Sequence, residues 1–149
     1  MDKEQVIEKI REFNRFYTSI LSLLDKSYLD SGYSVTEARI LYEVRECKGC
    51  TANLLAQALR IDKGYLSRIL HRLADEGLLE REPSREDTRK YILSLTPRGS
   101  DETQRLIALS NAQISGIIQK LSGKDCEALC QSIGRITEIL GKECPEWKS

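Results

Sequence analysis

Residues 60–73 read RIDKGYLSRILHRL, four cations (Arg60, Lys63, Arg68, Arg72) against one acid, Asp62. If Asp62 caps a helix here, Leu66, Ile69, Leu70 and Leu73 recur at i, i+3, i+4, i+7 and face a core. The opposite side then displays Lys63, Gly64, Ser67, Arg68, His71 and Arg72, with Tyr65 beside Gly64. An arginine can donate two parallel hydrogen bonds to a guanine edge, and a serine can bond to several bases. Gly64 has no side chain to hold the helix away from a phosphate. A solvated charged face has the same composition, so this helix alone does not decide the chemistry.

A second constellation decides it. Residues 85–99 read REDTRKYILSLTPRG. Tyr91, Leu93 and Leu95 alternate with Ile92 and Ser94, the period of a strand, and LLERE at 78–82 supplies a partner strand. A hairpin that follows a basic helix is a wing, and its tip can reach a neighbouring minor groove. An arginine there, Arg89, is drawn by the negative potential of a narrow groove. Asp87, two residues earlier, is expected to hold that guanidinium in a bidentate pair. Arg85 and Lys90 are expected to meet phosphates, which give affinity without reading sequence.

Other chemistry finds less support. Cys47-x-x-Cys50 invites a redox or zinc reading, but zinc needs two more ligands, and His71, Cys126, Cys130 and Cys144 lack metal-site spacing. Cys50 lies just before a helix start at Thr51, a position expected to lower a thiol pKa, so Cys47 and Cys50 are the candidate oxidant sensor. Cys126 and Cys130, one helical turn apart, are expected to pack as small hydrophobes. There is no glycine-rich phosphate loop, no histidine paired with a nucleophile and no carboxylate pair. The expectation is a protein that is not an enzyme and needs no metal or cofactor.

Bulk properties fit a DNA-binding protein whose cations are clustered. The 149 residues carry 23 Lys plus Arg and 23 Asp plus Glu, a net charge of zero. No apolar run is long enough to span a bilayer. Five cysteines, an odd number, on a chain whose N-terminus MDKEQVIEKI is not signal-like favour a reducing compartment and a cytoplasmic location.

The elements that must position these residues follow from periodicity and caps. Residues 3 to about 29 form a long amphipathic helix, in which Val6, Ile10, Phe13, Tyr17, Ile20 and Leu24 repeat every 3.5 residues, widened by Ile7, Phe16, Leu21 and Leu23. Such a stripe fits packing against a second chain. Gly32 breaks this helix and Ser34-Val35-Thr36-Glu37 offers a capping box for the next, to about 46. Thr51 caps a short helix through 59, with Leu54, Leu55, Ala58 and Leu59 on its buried side. The basic helix runs to 76, with Gly77 at its C′ position. Thr96-Pro97 starts a helix to about 121 bearing Leu106, Ile107, Ile114, Ile117, Ile118 and Leu121. A last helix follows to about 140, buried through Leu129, Ile133, Ile136 and Leu140.

This layout is a mainly α winged helix-turn-helix with a two-stranded hairpin, framed by long terminal helices. The segment TANLLAQALRIDKGYLSRILHRLADEGLLEREPSREDTRKYILSLTPRG resembles the winged helix of MarR-family transcriptional regulators. The wing pattern Asp-x-Arg-Lys, alternating apolar residues, then Leu-Thr-Pro-x-Gly, spans Asp87 to Gly99. The resemblance implies a single domain over 1–149, with residues 1–33 and 100–149 as dimerisation helices around a winged helix at 34–99. It further implies a homodimer on a pseudo-palindromic double-stranded DNA operator, usually a repressor released by a small molecule or an oxidant. Carried over by motif, Ser67 and Arg68 read bases, Arg72 contacts the DNA backbone, and Asp87 with Arg89 forms the wing pair. Gly64 departs from the family, where many members have serine or threonine. The family's ligand cleft lies where the dimerising helices meet the winged helix, and Phe13, Phe16, Tyr17, Tyr28, Tyr33 and Tyr42 could wall it. Peroxide-sensing members place a reactive cysteine near the N-terminal helix, which has none here. DKGYLSRIL also resembles the subset fused to an N-acetyltransferase domain; this chain ends at Ser149 and only the DNA-binding half is carried over. The rival readings are a thiol-based redox regulator using Cys47 and Cys50, and a winged-helix module that docks on a protein.

Overall fold

The computed structural model describes residues 2–142, with side chains throughout except at 21–29. Of the residues singled out above, Leu21, Leu23, Leu24, Tyr28 and Cys144 lie outside the described side chains. Six helices and one hairpin follow in the order α1 (Lys3–Ser31), α2 (Val35–Glu46), α3 (Ala52–Leu59), α4 (Lys63–Asp75), β1 (Leu79–Pro83), β2 (Tyr91–Leu95), α5 (Pro97–Ile118) and α6 (Gly123–Gly141).

The caps place the boundaries. Ser34 Oγ accepts from Glu37 N–H at 3.1 Å, and Glu37 Oε2 accepts from Ser34 N–H at 2.8 Å, a complete capping box on α2. Thr51, Asp62, Thr96 and Ser122 cap α3, α4, α5 and α6 through their side-chain oxygens. Helix α3 ends on Arg60 in the left-handed region at φ 52°, ψ 45°, a conformation that L side chains rarely adopt. Gly77 closes the end of α4 at φ 75°, where only glycine is unstrained.

The hairpin is antiparallel, in a register running from Leu79 opposite Leu95 to Pro83 opposite Tyr91. Cys50 extends it by one bridge, its carbonyl accepting from Leu93 N–H at 2.7 Å. The hydrophobic centre lies where these pieces meet. Ile40, Leu41 and Val44 of α2, Leu55 and Leu59 of α3 and all four inward positions of α4 pack with Leu78, Leu79, Leu93 and Leu106.

Helix α5 is fixed to the end of α4 by several polar contacts. Thr96 N–H donates to Leu78 O (3.1 Å), Thr96 Oγ1 to Gly77 O (2.7 Å) and Arg98 Nη1 to Glu76 O (2.9 Å). Gly99 has no room for a side chain, because a Cβ there would collide with the Leu78 carbonyl. The buried Thr103 hydroxyl closes the turn by donating to Gly99 O at 2.7 Å.

Three expectations need correcting. Helix α3 buries Leu55, Ala56 and Leu59, while Leu54 and Ala58 turn outward. In eight residues two neighbouring apolar columns compete, and the one facing α4 and β2 is covered. Helix α5 stops at Ile118, one turn early, short of the Ser122 cap that starts α6. Helix α6 buries nothing within one chain: Leu129, Ile133, Ile136 and Leu140 are 40–57 % exposed. The residues of α1 from Val6 to Tyr17 and Ile114, Ile117 and Ile118 of α5 are likewise uncovered. Apolar stripes on three helices remain open, while the winged helix has a closed core.

Candidate nucleic-acid interface

Helix α4 divides as its sequence requires. Leu66, Ile69, Leu70 and Leu73 are buried, and Lys63, Gly64, Tyr65, Ser67, Arg68, His71 and Arg72 are exposed. Its first turn is set by Asp62, whose Oδ2 accepts from Tyr65 N–H at 2.9 Å. A Cβ on Gly64 would stand 3.1 Å from that same oxygen, so glycine leaves the cap undisturbed. This explains a position where a serine or threonine was the family expectation.

The wing lies beside this face. A groove of about 550 Å³ runs from the start of α3, past Ser67, to Arg81, Arg89, Lys90 and Tyr91 of the hairpin. Three cations therefore border the same groove as the outward serine of α4. Arg81 was missed in the sequence. The signal for it was the hairpin register, which sets Arg81 opposite Leu93 and hence beside α3 and α4. Arg85 is exposed in the loop and does not line this groove.

The wing tip is built differently from expectation. Asp87 Oδ1 accepts from the backbone N–H of Arg89 at 3.1 Å and does not grip its guanidinium. A carboxylate two residues before an N–H closes an Asx turn, which needs no side-chain ordering of the arginine. Lys90 N–H to Asp87 O (2.9 Å) and Ser84 N–H to Lys90 O (2.8 Å) complete the loop. Asp87 shapes the tip, and Arg89 projects from it.

Arg72 also differs. Its Nη1 donates to Glu37 Oε1 at 2.6 Å and its Nε to Glu76 Oε1 at 3.0 Å. The hydrogen bond to Glu76 and the charge of Glu37 raise the guanidinium pKa further above neutrality. Glu37 is buried, so Arg72 neutralises a carboxylate inside the fold rather than extending freely toward a phosphate.

Of the six aromatic residues, the five whose side chains are described do not converge in one cleft, and Tyr28 lies outside the described side chains. Tyr33 joins Tyr65, Arg68 and Arg72 around a cavity of about 480 Å³ between the α1–α2 joint and the outer face of α4. Burial, then the charge of Glu102, raises the Tyr33 pKa, so its hydroxyl stays protonated. Tyr42 borders a separate cavity of about 400 Å³ between α2 and α5. Phe13 and Tyr17 stack on α1 with centroids 5.7 Å apart, and Phe16 is 62 % exposed.

The cysteines correct a further expectation. Cys50 is buried, and its thiol is pushed up to about 12 by that burial, with Cys47 and Glu43 adding to the shift. Desolvation outweighs the helix start beside it. Cys126 is half-buried and Cys130 exposed, so this pair is not packed in a core. Among the described residues no group of three or more His, Cys, Asp or Glu could hold a metal ion, and no helix is long and apolar enough to cross a membrane.

Comparison with known proteins follows this geometry. A profile of the MarR family matches residues 31–90, the segment from the α1–α2 joint to the wing tip. The HTH-type transcriptional regulator BilQ of Clostridium symbiosum is 28% identical over 131 residues, 83% of this chain and 91% of that protein. The multiple antibiotic resistance protein MarR of Salmonella typhimurium is 34% identical over 88 residues, 58% of this chain and 56% of its own length. The crystal structure of a MarR family transcription regulator superposes with a TM-score of 0.79 at 24% identity, covering 96% of this chain and 95% of the other. The last of these speaks to fold alone, and the chain spans about half the length of the Salmonella protein it matches.

Proposed function

We propose that this chain, whose residues 31–90 match the MarR family, is a winged helix-turn-helix transcriptional regulator that binds a pseudo-palindromic DNA operator as a homodimer and represses transcription until a small molecule releases it. One observation carries the DNA-reading part. Ser67 of α4 and Arg81, Arg89 and Lys90 of the hairpin border one groove, so helix and wing offer a single surface to a duplex. Arg68, exposed on the same helix, reads a base edge in the major groove, and Arg89 enters the adjacent minor groove. Lys63, Arg85 and Lys90 meet phosphates, with Gly64 and Tyr65 at the point of closest approach. Arg72 takes a positioning role, holding α4 against Glu37.

The dimer reading is supported by the uncovered stripes of α1, α5 and α6, which leave residues 1–33 and 100–149 as the dimerisation part. Effector release is supported by the cavity between Tyr33 and Tyr65, since anything bound there lies against Arg68. The oxidant alternative loses its main support with the burial of Cys50. A DNA target and unpaired thiols fit a cytoplasmic place of action.

Selection of bound duplexes from a random library tests the reading directly. The expected product is an inverted repeat whose half-sites lie about one helical turn apart, or a small multiple of that. On the selected operator, Arg68→Ala should cost about 1–3 kcal/mol and relax the preference at one base pair per half-site. Failure to enrich any sequence, with Arg68→Ala binding as the wild type does, would remove the proposal.

A further inference from the structure

Strand β1 reads LEREP, and its alternation sorts charge by face. Leu79 is buried against the core, and Arg81, two residues on, projects from the same side of the hairpin. Glu80 and Glu82 project from the other side. The groove of about 550 Å³ between α4 and the wing therefore receives Arg81 without its acidic neighbours, and among the described residues no carboxylate lines it.

The other polar members of the groove are equally unengaged. Asn53 and Gln57 stand one helical turn apart on α3 and line it together with Ser67 of α4. Among the described residues, no side-chain hydrogen bond or ion pair involves Asn53, Gln57, Ser67, Arg81, Arg89 or Lys90. Leu54, turned away from the core, and Tyr91 are exposed apolar edges of the same groove. Unpartnered donors, three positive charges and two apolar edges complement a strand of alternating phosphate and deoxyribose.

We infer that this groove seats the one sugar-phosphate strand that divides the major from the minor groove of the duplex, and that Arg81 is the positioning residue on its phosphate. With α4 in the major groove and Arg89 in the adjacent minor groove, that strand has to cross between helix and wing, where Arg81 stands. The first helix of a helix-turn-helix crosses the DNA backbone, which brings Asn53 and Gln57 of α3 to the same strand. Arginine matches a phosphate with two parallel hydrogen bonds, and Leu54 and Tyr91 lie against deoxyribose. The contact reads no base. It holds α4 and the wing on either side of one strand, so that Arg68 and Arg89 each meet their own groove. This assigns a role to a residue that sequence reasoning missed, and it rests on the DNA-reading proposal above.

The test uses the purified full chain with the selected operator, a duplex of unrelated sequence, and operators in which one phosphate at a time is replaced by a neutral methylphosphonate. Arg81→Ala should weaken binding to operator and unrelated duplex by the same factor, about tenfold, and make the salt dependence shallower by about one phosphate-equivalent per half-site. Arg68→Ala should instead lower operator binding with little effect on the unrelated duplex. Arg81→Lys should keep the wild-type salt dependence and recover part of the affinity, since it restores the charge without the fork. One methylphosphonate per half-site, on the strand between the two grooves, should weaken the wild type about as Arg81→Ala does and weaken Arg81→Ala no further. A merely structural role for Arg81 would leave the two losses multiplicative at every linkage. That outcome, wild-type affinity for Arg81→Ala, or a loss confined to the operator would overturn the inference. Arg81 is exposed, so Arg81→Ala should melt within about 2 °C of the wild type. Should it melt lower, Arg81→Lys on the methylphosphonate series decides: a loss at the critical linkage much smaller than the wild type's supports the contact, and equal losses at every linkage overturn it. Intact wild-type binding that is insensitive to Arg81 sinks only the phosphate seat, whereas a wild type that binds neither duplex sinks the DNA-reading proposal and this inference with it.

Discussion

Glu37 and Arg72, thirty-five residues apart in sequence, meet at 2.6 Å and join α2 to the recognition helix. The same carboxylate closes the capping box of α2 through its other oxygen, so one buried side chain sets both the start of α2 and the pose of α4.

Glu37→Gln should separate these two roles. Glutamine can still accept from Ser34 N–H, so α2 keeps its cap while Arg72 loses its buried counter-charge. The expected loss is about 1 kcal/mol of stability, against about 2 kcal/mol for Glu37→Ala, which removes the cap as well. Urea unfolding should rank wild type, Glu37→Gln and Glu37→Ala in that order. Operator affinity should fall for Glu37→Gln although the residue itself is buried.

Asp87 and Arg89 should respond to substitution independently. Asparagine closes an Asx turn as aspartate does, so Asp87→Asn should bind the operator nearly as the wild type, whereas Asp87→Ala should weaken it. A guanidinium clamp would make Asp87→Asn as damaging as Asp87→Ala. Arg89→Ala should lower affinity with little change in major-groove preference, and should make the salt dependence shallower by about one phosphate-equivalent. Titrations at two salt concentrations distinguish these outcomes.

Cys50 gives a pH and a reactivity signature. Its pKa is raised to about 12 in the fold from an ordinary 9.0, so the unfolded chain releases the thiol proton first. The stability attached to this group is fully present below pH 9 and is lost as pH rises toward 12. Cys50→Ala should show a flatter decline over that interval in denaturant titrations. At neutral pH iodoacetamide should label the exposed Cys130 and leave Cys50 unmodified, read by peptide mass.

The open stripes predict an association constant that one charge can abolish. Ile133, 54 % exposed in the single chain, lies on the α6 stripe with Leu129. Sedimentation equilibrium at micromolar concentration should give about twice the chain mass for the wild type. Ile133→Asp should shift it toward the monomer while far-ultraviolet dichroism keeps its helical signal. A wild-type monomer at that concentration contradicts the dimer.

Much of this architecture was readable before any coordinates. The starts of α2, α3, α4 and α5 coincide with Ser34, Thr51, Asp62 and Thr96, whose side chains do cap them, and Gly77 ends α4, because capping is chemistry local to a few residues. The inward face of α4 follows from spacing alone for the same reason. What escaped the sequence depends on contacts between distant segments. Arg72 looked like a free cation because Glu37 is two elements away. Cys50 looked activated because its burial against Leu93 is a property of the hairpin register. Leu54 looked buried because two columns on a short helix are equally apolar, and only the neighbours choose between them. The Asp87 turn was misjudged at short range, where a backbone donor competed with a side-chain donor for the same carboxylate and prevailed.

The fit of Gly99 under the Leu78 carbonyl, with Thr96 and Arg98 fastened to the last carbonyls of the α4 end, makes α5 a lever welded to the reading head. Its 22 residues span about 33 Å. A tilt of about 10° at the far end therefore displaces the near end by about 6 Å, more than the 3.4 Å step between stacked base pairs. In the homodimer proposed above, the angle at which two such levers cross would work like the opening of a pair of callipers. A dimer of this build would not need to unfold or bend its recognition helix to let go of DNA; closing or opening the callipers by about 10° would put one tip out of step with its groove.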